Sequence, residues 1–410
     1  MIKKRVVVTG FSAITPLGND WGTFKHQLQT HQSAVRYMPE WDAINGLGTK
    51  LAAPVEDFQL PKHYTRKKIR TMGRVSKLAV RTSELALEQA NLLDNPVLTD
   101  GRTGVSSGSC TGSTDAIQDF TNFISSSGTA DINATSYIRM MSHTAPANIA
   151  MFFGLQGRVI ATSTACTSGS QGIGYAFEAI QSGKQTVMVA GGAEELCPSE
   201  AAIFDTLYAT SLKNDTPTET PRPFDEARDG LVIGEGACHF VLEELEFAQQ
   251  RGATILAELV GFATNCDGQH ATQPQAETMA RVMRMSLADA NLKPEQIGHV
   301  NAHGTATLIG DIAETSATQS VFSSDQAISS LKGNIGHTLG ACGAIEAWAS
   351  INMMNENWFA PTHNLKNVDS NCGDLHYIQG SGESINTDYV MTNNFAFGGI
   401  NTSLIFKRWQ

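Results

Sequence analysis

The two halves of this chain carry the same pattern of strands and glycine turns. Val6-Val7-Val8-Thr9-Gly10-Phe11-Ser12 and Ala257-Glu258-Leu259-Val260-Gly261-Phe262-Ala263 share a strand followed by Gly-Phe. Later in each half a short strand runs into a small-residue turn and then a helix. The first such unit is Val159-Ile160-Ala161 with the turn around Cys166, and the second is Ser329-Ser330-Leu331 with Gly336-His337-Thr338-Leu339-Gly340-Ala341. An internal duplication of two βα halves is the economical reading, 1–250 and 251–410. Alternating strands and helices imply an α/β architecture. If the halves pack about a pseudo-twofold, Cys166 and His337 occupy equivalent turns that face one another.

The Cys166 unit reads clearly. Val159–Ser163 is β-branched and short, which predicts a buried strand. Ile173, Ala176, Phe177 and Ile180 have the i, i+3, i+4, i+7 spacing of a helix face, and Gly183 follows as a stop. Cys166 therefore lies where a strand turns into a helix, beside unpaired N–H groups whose dipole favours a thiolate. A buried cysteine usually packs as a small hydrophobe. The turn and the small flanking residues favour a nucleophile here.

Other totals narrow the function. The 410 residues include 37 glycines and carry a formal charge of −11, which disfavours nucleic-acid binding. Apolar runs stay short of the about 18 residues a membrane span needs, and Met1–Val8 is too short for a signal peptide and reads as a first strand. Seven cysteines without a CxxC pair argue against a disulfide scaffold or a zinc cluster and suggest a cytoplasmic setting. One segment is basic, with Lys62, Arg66, Lys67, Lys68, Arg70 and Arg74. Such runs are commonly solvated helix faces; in an acidic chain this one also suits an acidic partner. Ser125-Ser126-Ser127-Gly128 reads as a mobile loop, and strand Thr186–Ala190 is expected to end at Gly191-Gly192.

Three further motifs bring polar groups to strand ends. Asn301-Ala302-His303-Gly304-Thr305 follows a strand, and Lys332-Gly333-Asn334-Ile335-Gly336-His337 supplies a lysine and a histidine in a glycine-punctuated turn. Asp311 and Glu314 are expected to satisfy Lys332. Asn393–Asn401 ends in a Gly398-Gly399 turn whose N–H groups suit an oxyanion. A lone histidine is usually a core residue, but two in strand-end turns beside an activated cysteine point to catalysis. Gly104-Val105-Ser106-Ser107-Gly108 matches a nucleophile elbow without the helix it needs, and Ser329–Lys332 matches SxxK without a KTG box. The glycines at 169–174 miss the dinucleotide spacing.

Taken together, these boxes resemble the β-ketoacyl-acyl-carrier-protein synthases, in the elongating branch that uses a Cys-His-His triad. The likeness spans the chain and includes Thr164–Gly169, Arg222-Pro223-Phe224-Asp225, Asn301–Thr305, Lys332–His337 and Asn394–Asn401. The resemblance implies a thiolase-like αβαβα layered fold, a homodimer and no cofactor or metal. The implied reaction is a decarboxylating Claisen condensation of an acyl thioester with malonyl-acyl carrier protein. Cys166 would take the acyl group; His303 and His337 would promote loss of CO₂ and hold the enolate; Lys332 and Glu314 would form a supporting ion pair. The N–H groups of Cys166 and Phe397 would make the oxyanion hole, with Phe397 as gate of the acyl pocket. Asp267, His270 and Thr272 would belong to a gating loop, and Arg66, Lys67, Lys68 and Arg70 would dock the carrier protein. Cys110 and Thr111 stand where relatives carry a Gly-Ile-type pair lining the acyl pocket. Ala396, Ile400 and Tyr37–Trp41 also depart from the elongation pattern, and together these look similar to aryl-polyene ketosynthases. The alternatives are a chain-length-factor-like partner, which would lack the nucleophile, and a thiolase-like acyltransferase without decarboxylation, which would need a second cysteine as base.

Overall fold

The computed structural model describes residues 3–126, 128–129 and 132–410. Eleven strands form one sheet: β1 (Val6–Ile14), β2 (Thr103–Gly108), β3 (Val159–Ala161), β4 (Val187–Glu194), β5 (Gly236–Glu244), β6 (Ala257–Cys266), β7 (His299–Asn301), β8 (Ala327–Ser329), β9 (His376–Tyr377), β10 (Tyr389–Ala396) and β11 (Ile400–Arg408). Their order is β9-β8-β7-β10-β11-β6-β1-β5-β4-β2-β3. Counted outward from the β1–β6 seam, β1-β5-β4-β2-β3 on one side and β6-β11-β10-β7-β8 on the other repeat one order. β1 and β6 pair antiparallel over Val6–Val8 only. Parallel pairing is confined to the outer strands of each side, where crossover helices intervene.

Seven helices complete the layers: α1 (Arg74–Gln89), α2 (Thr144–Phe153), α3 (Ser168–Gln181), α4 (Pro198–Asp205), α5 (Ala276–Ala290), α6 (Leu308–Val321) and α7 (Cys342–Glu356). The sheet folds about its seam around α3 and α7, which touch strands on both sides; α1 and α2 cover one outer face, α5 and α6 the other. Strand alternation builds these interfaces. Met188 and Ala190 face α3 while Val187 and Val189 face α1, and Leu404 and Phe406 face inward while Ile405 meets α5. Eleven of the 14 residues of α3 and 12 of the 15 of α7 are buried, so both are enclosed on nearly every face.

Three expectations change. The β3 strand is an exposed edge, with Val159 50 % exposed, because it pairs with β2 alone; β-branched composition does not distinguish an edge from an interior strand. Ser125 and Ser126 are the last residues of a helix, Thr114–Ser126, and Ser127 lies outside the described residues. The β4 strand continues through Gly191 and Gly192 to Glu194, because Gly191 pairs with His239 and Gly192 with Cys238. No helix among the described residues is long and apolar enough to cross a membrane.

Candidate active site

The N-terminal ends of α3 and α7 meet at the centre of the molecule. Glycine permits the approach. A Cβ on Gly169 would come within 2.9 Å of Gly340 O, and one on Gly343 within 2.8 Å of Ser170 Cβ. Ahead of α3 the backbone turns sharply, Ala165 adopting φ +51°. Cys166, 4 % exposed, stands at that turn. The turn before α7 carries His337, whose Nε2 lies 3.0 Å from Cys166 Sγ. His303 follows β7, its ring centroid 5.0 Å from that of His337 and edge-on to it at 87°. One ligand-capable atom from each of Cys166, His303 and His337 falls within 4.8 Å of the others.

Hydrogen bonding sets the histidine chemistry. Lys332 Nζ is 3.3 Å from His303 Nδ1. An ammonium only donates, so Nδ1 accepts and the proton of the neutral ring resides on Nε2. Burial, followed by the charge of Lys332, holds His303 and His337 well below the ordinary histidine range, so both are neutral. Burial pulls the Lys332 ammonium down, but Glu346 beside it carries the balance upward, so it stays charged. The three groups near the sulfur have the spacing of a metal site. The ligand chemistry does not suit one, because His303 could bind a metal through Nε2 only by turning an Nδ1–H toward the lysine ammonium.

Glu346 is the carboxylate that pairs with Lys332, and it also accepts the Asn394 side-chain N–H at 2.7 Å. This corrects the expected pairing with Glu314 or Asp311. Glu314 instead accepts the backbone N–H groups of His303 and Gly304, each at 2.7 Å. Asp311 accepts those of Phe224 at 2.8 Å and Ala306 at 3.1 Å. Glu314 is pushed up to about 8 by burial, against its backbone donors. Sequence reasoning missed Glu346, although a single acid in the apolar run Cys342–Asn355 is a signal of a buried partner.

The thiol also departs from expectation. Burial pushes Cys166 up to about 11, against the lowering effects of the N–H groups of Phe397 and Cys166 and of Lys332. The helix mouth is present, but loss of water outweighs it.

A cavity of about 230 Å³ opens beside these residues, lined by Cys166, His303, His337, Phe204, Phe395 and Phe397. Asp267, His270 and Thr272 line it too. That loop is tied to the β10–β11 turn: Asp267 N donates to Gly399 O at 2.8 Å and Gly398 N to Ala271 O at 2.8 Å. Cys110 and Thr111 are not in the cavity wall. Cys110 packs with Ala201 and Phe204 in a cluster behind it, its N–H held by Glu194 at 2.6 Å. Arg66, Lys67, Lys68 and Arg70 are exposed on and just after a short helix, Arg66–Ile69, and make no ion pair among the described residues, whereas Arg74 pairs with Glu235. Gly104–Gly108 lies within β2, so no nucleophile elbow forms there.

A duplicated sheet wrapped around two buried helices, with the sulfur and one imidazole at their mouths, defines an acyl-transferring enzyme of the thiolase-like class. The chain belongs to the β-ketoacyl synthase family: the beta-ketoacyl synthase N-terminal domain matches residues 3–248 and the C-terminal domain residues 256–366. Such enzymes form a 3-oxoacyl thioester by carbon–carbon condensation. The 3-oxoacyl-[acyl-carrier-protein] synthase 2 of Synechocystis is 36% identical over 414 residues, covering 100% of this chain and 99% of its own. A beta-ketoacyl synthase from Burkholderia phymatum STM815 superposes with TM-score 0.98 at 55% identity, over 99% of this chain and 100% of its own. A type II polyketide ketosynthase, solved with its acyl-carrier protein and bound to the hexaketide, superposes with TM-score 0.87 at 29% identity over 100% of both chains.

Proposed function

We propose that Cys166 holds the acyl chain and that His303 and His337 drive decarboxylation of a malonyl thioester on acyl carrier protein. The observation that carries this is one sulfur and two neutral imidazoles at the end of a single cavity. In the first half-reaction Sγ attacks the acyl thioester, the oxyanion meets the N–H groups of Cys166 and Phe397, and the carrier thiolate leaves. The thiol proton passes to that thiolate, while His337 Nε2–H, 3.0 Å from Sγ, stays in place as a donor. In the second, the malonyl thioester oxygen faces His303 Nε2–H and His337. Breaking the C–C bond releases CO₂ and leaves its electron pair in an enolate that these donors stabilise. The enolate carbon attacks the acyl carbonyl, the new C–C bond forms, and Cys166 leaves as a thiolate that takes one proton from water. Neutral donors suit this step, since a charged imidazole in a buried site would carry its own desolvation cost.

The exposed basic residues Arg66, Lys67, Lys68 and Arg70 suit the acidic carrier protein, and the uncovered edge strand β3 suits a second copy of the chain. All seven cysteines are free, which fits a reducing cytoplasm. The chain extended is a fatty-acid or an aryl-polyene chain, and Cys110 and Thr111, which stand outside the cavity wall, do not decide between them. Cys166→Ala should abolish acyl-enzyme formation, read by intact mass after incubation with acyl-carrier thioesters; a variant still acylated at the normal rate overturns the assignment. Release of CO₂ from malonyl-carrier protein separates this reaction from non-decarboxylating transfer. The second cysteine that such transfer would need is not placed for it: Cys342 Sγ donates to Cys166 O at 3.3 Å and is absent from the cavity wall.

A further inference from the structure

Two stretches of the cavity lining are remote in sequence, and one short segment between α4 and β5 ties them together. Cys166, His303 and His337 are buried and form the inner end of the cavity. Leu207 and Ala209 line it from one stretch, and Thr305, Thr307 and Ile309 from another. Leu207 is 42 % and Ile309 53 % exposed, so these stretches are the walls of its open end.

The wall at 305–309 begins as irregular backbone. Gly304 and Ala306 have φ +39° and +65°, the latter strained for a residue with a Cβ. Such a loop keeps its shape only when its surroundings hold it. Arg228 provides that hold. Its buried guanidinium donates through Nη2 to Leu308 O at 3.2 Å. Its Nε lies 3.6 Å from Asp311, the carboxyl that accepts the Ala306 N–H. On the far side of the fork, Nη1 is 2.8 Å from both Asp225 O and Asp369.

The next three residues reach the other wall. Asp229 accepts the Ser211 hydroxyl at 2.7 Å and the Leu212 N–H at 3.2 Å. Gly230 has φ +129°, and a Cβ there would come within 2.5 Å of Ala209 O. Leu231 donates its N–H to that oxygen at 2.8 Å, accepts the Ser211 N–H at 2.9 Å and itself lines the cavity. Four consecutive residues therefore bond to one wall through Arg228 and to the other through Asp229–Leu231.

We propose that Arg228 and Asp229 are positioning residues that clasp the two walls at a set separation, so that a thioester entering toward Cys166 meets a preformed passage. This rests on Cys166 being the acyl carrier. The test is acylation of Cys166 by an N-acetylcysteamine thioester, which needs no carrier-protein docking, read by intact mass as a function of thioester concentration. Arg228→Lys keeps a charge beside Asp311 and Asp369 but lacks the planar fork that reaches Leu308 and Asp225 together. Asp229→Ala, at a partly exposed position, frees the opposite wall and serves if the lysine variant does not fold. Each should raise the half-saturating concentration about three- to tenfold, the scale of one hydrogen bond, and leave the saturating rate unchanged. A merely structural segment would lower the melting temperature without that split. A folded variant whose half-saturating concentration is unchanged, or whose saturating rate alone falls, overturns the clasp. No adduct at Cys166 in the native protein overturns the acyl-enzyme reading and the clasp with it.

Discussion

Glu314 grips the backbone at His303: its carboxyl oxygens accept the N–H groups of His303 and Gly304, each at 2.7 Å. The side chain that looked like a partner for Lys332 thus fixes where the imidazole leaves its strand. Glu314→Ala should strand two buried N–H groups, at about 1–3 kcal/mol each. We expect a lower melting temperature and slower CO₂ release, with iodoacetamide alkylation of Cys166 retained. The folded-state value, about 8, lies above the ordinary 4.5. The acid's contribution is therefore full below about 4.5 and fades as pH rises through about 8. Urea midpoints of the native protein and Glu314→Gln should converge over that window; a constant gap would count against the assignment.

Lys332 determines which nitrogen of His303 carries the proton. Lys332→Met alone would leave Glu346 buried without its cation, a loss of about 3–5 kcal/mol that confuses folding with chemistry. The double variant Lys332→Met/Glu346→Gln removes both charges together. It should fold, yet release CO₂ about a hundredfold more slowly, the scale of one lost oxyanion-type donor. Nitrogen NMR of His303 should show its Nε2–H preference weakened; an unchanged tautomer would contradict the argument.

Burial and the helix mouth pull the Cys166 thiol in opposite directions, and burial prevails with a value of about 11. Alkylation of the ligand-free protein by iodoacetamide should climb about tenfold per pH unit across the neutral range and level off only near that value. A plateau near neutrality would mean that the backbone donors win.

Gly398 and Gly399 separate two reasons for a glycine. Both have positive φ, +91° and +75°, but a Cβ on Gly399 would meet Asp267 Cβ at 2.8 Å while one on Gly398 meets nothing within 4 Å. Gly398→Ala should carry only the backbone strain of about 1–2 kcal/mol. Gly399→Ala should in addition push the Asp267 loop away from the β10–β11 turn and slow Cys166 acylation more, measured by single-turnover mass spectrometry. Equal effects would show that the loop is not held at this contact.

Local chemistry was legible in the residues; its partners were not. The turns of Cys166, His303 and His337 announce themselves by small residues at strand ends. Glu346 does not, because it meets Lys332 only after the chain passes through Gly336–Ala341 and enters α7. The three-residue spacing of Asp311 and Glu314 does place both on one face of α6, but that face looks onto backbone at 224 and 303–306 rather than onto the lysine. The acidity of Cys166 failed for a related reason: the helix mouth is local, whereas the dryness around the sulfur comes from both halves. The exposed edge of β3 is likewise a property of the assembled sheet.

The sulfur and the imidazole that touches it lie 171 residues apart and on opposite sides of the β1–β6 seam. A ribosome-bound chain whose later half is still unmade, or a product clipped near the seam, therefore holds a thiol without its histidines and has no cavity in which to decarboxylate anything. The last strands, β10 and β11, complete the site by bringing Phe397 to the cavity wall and Asn394 to Glu346.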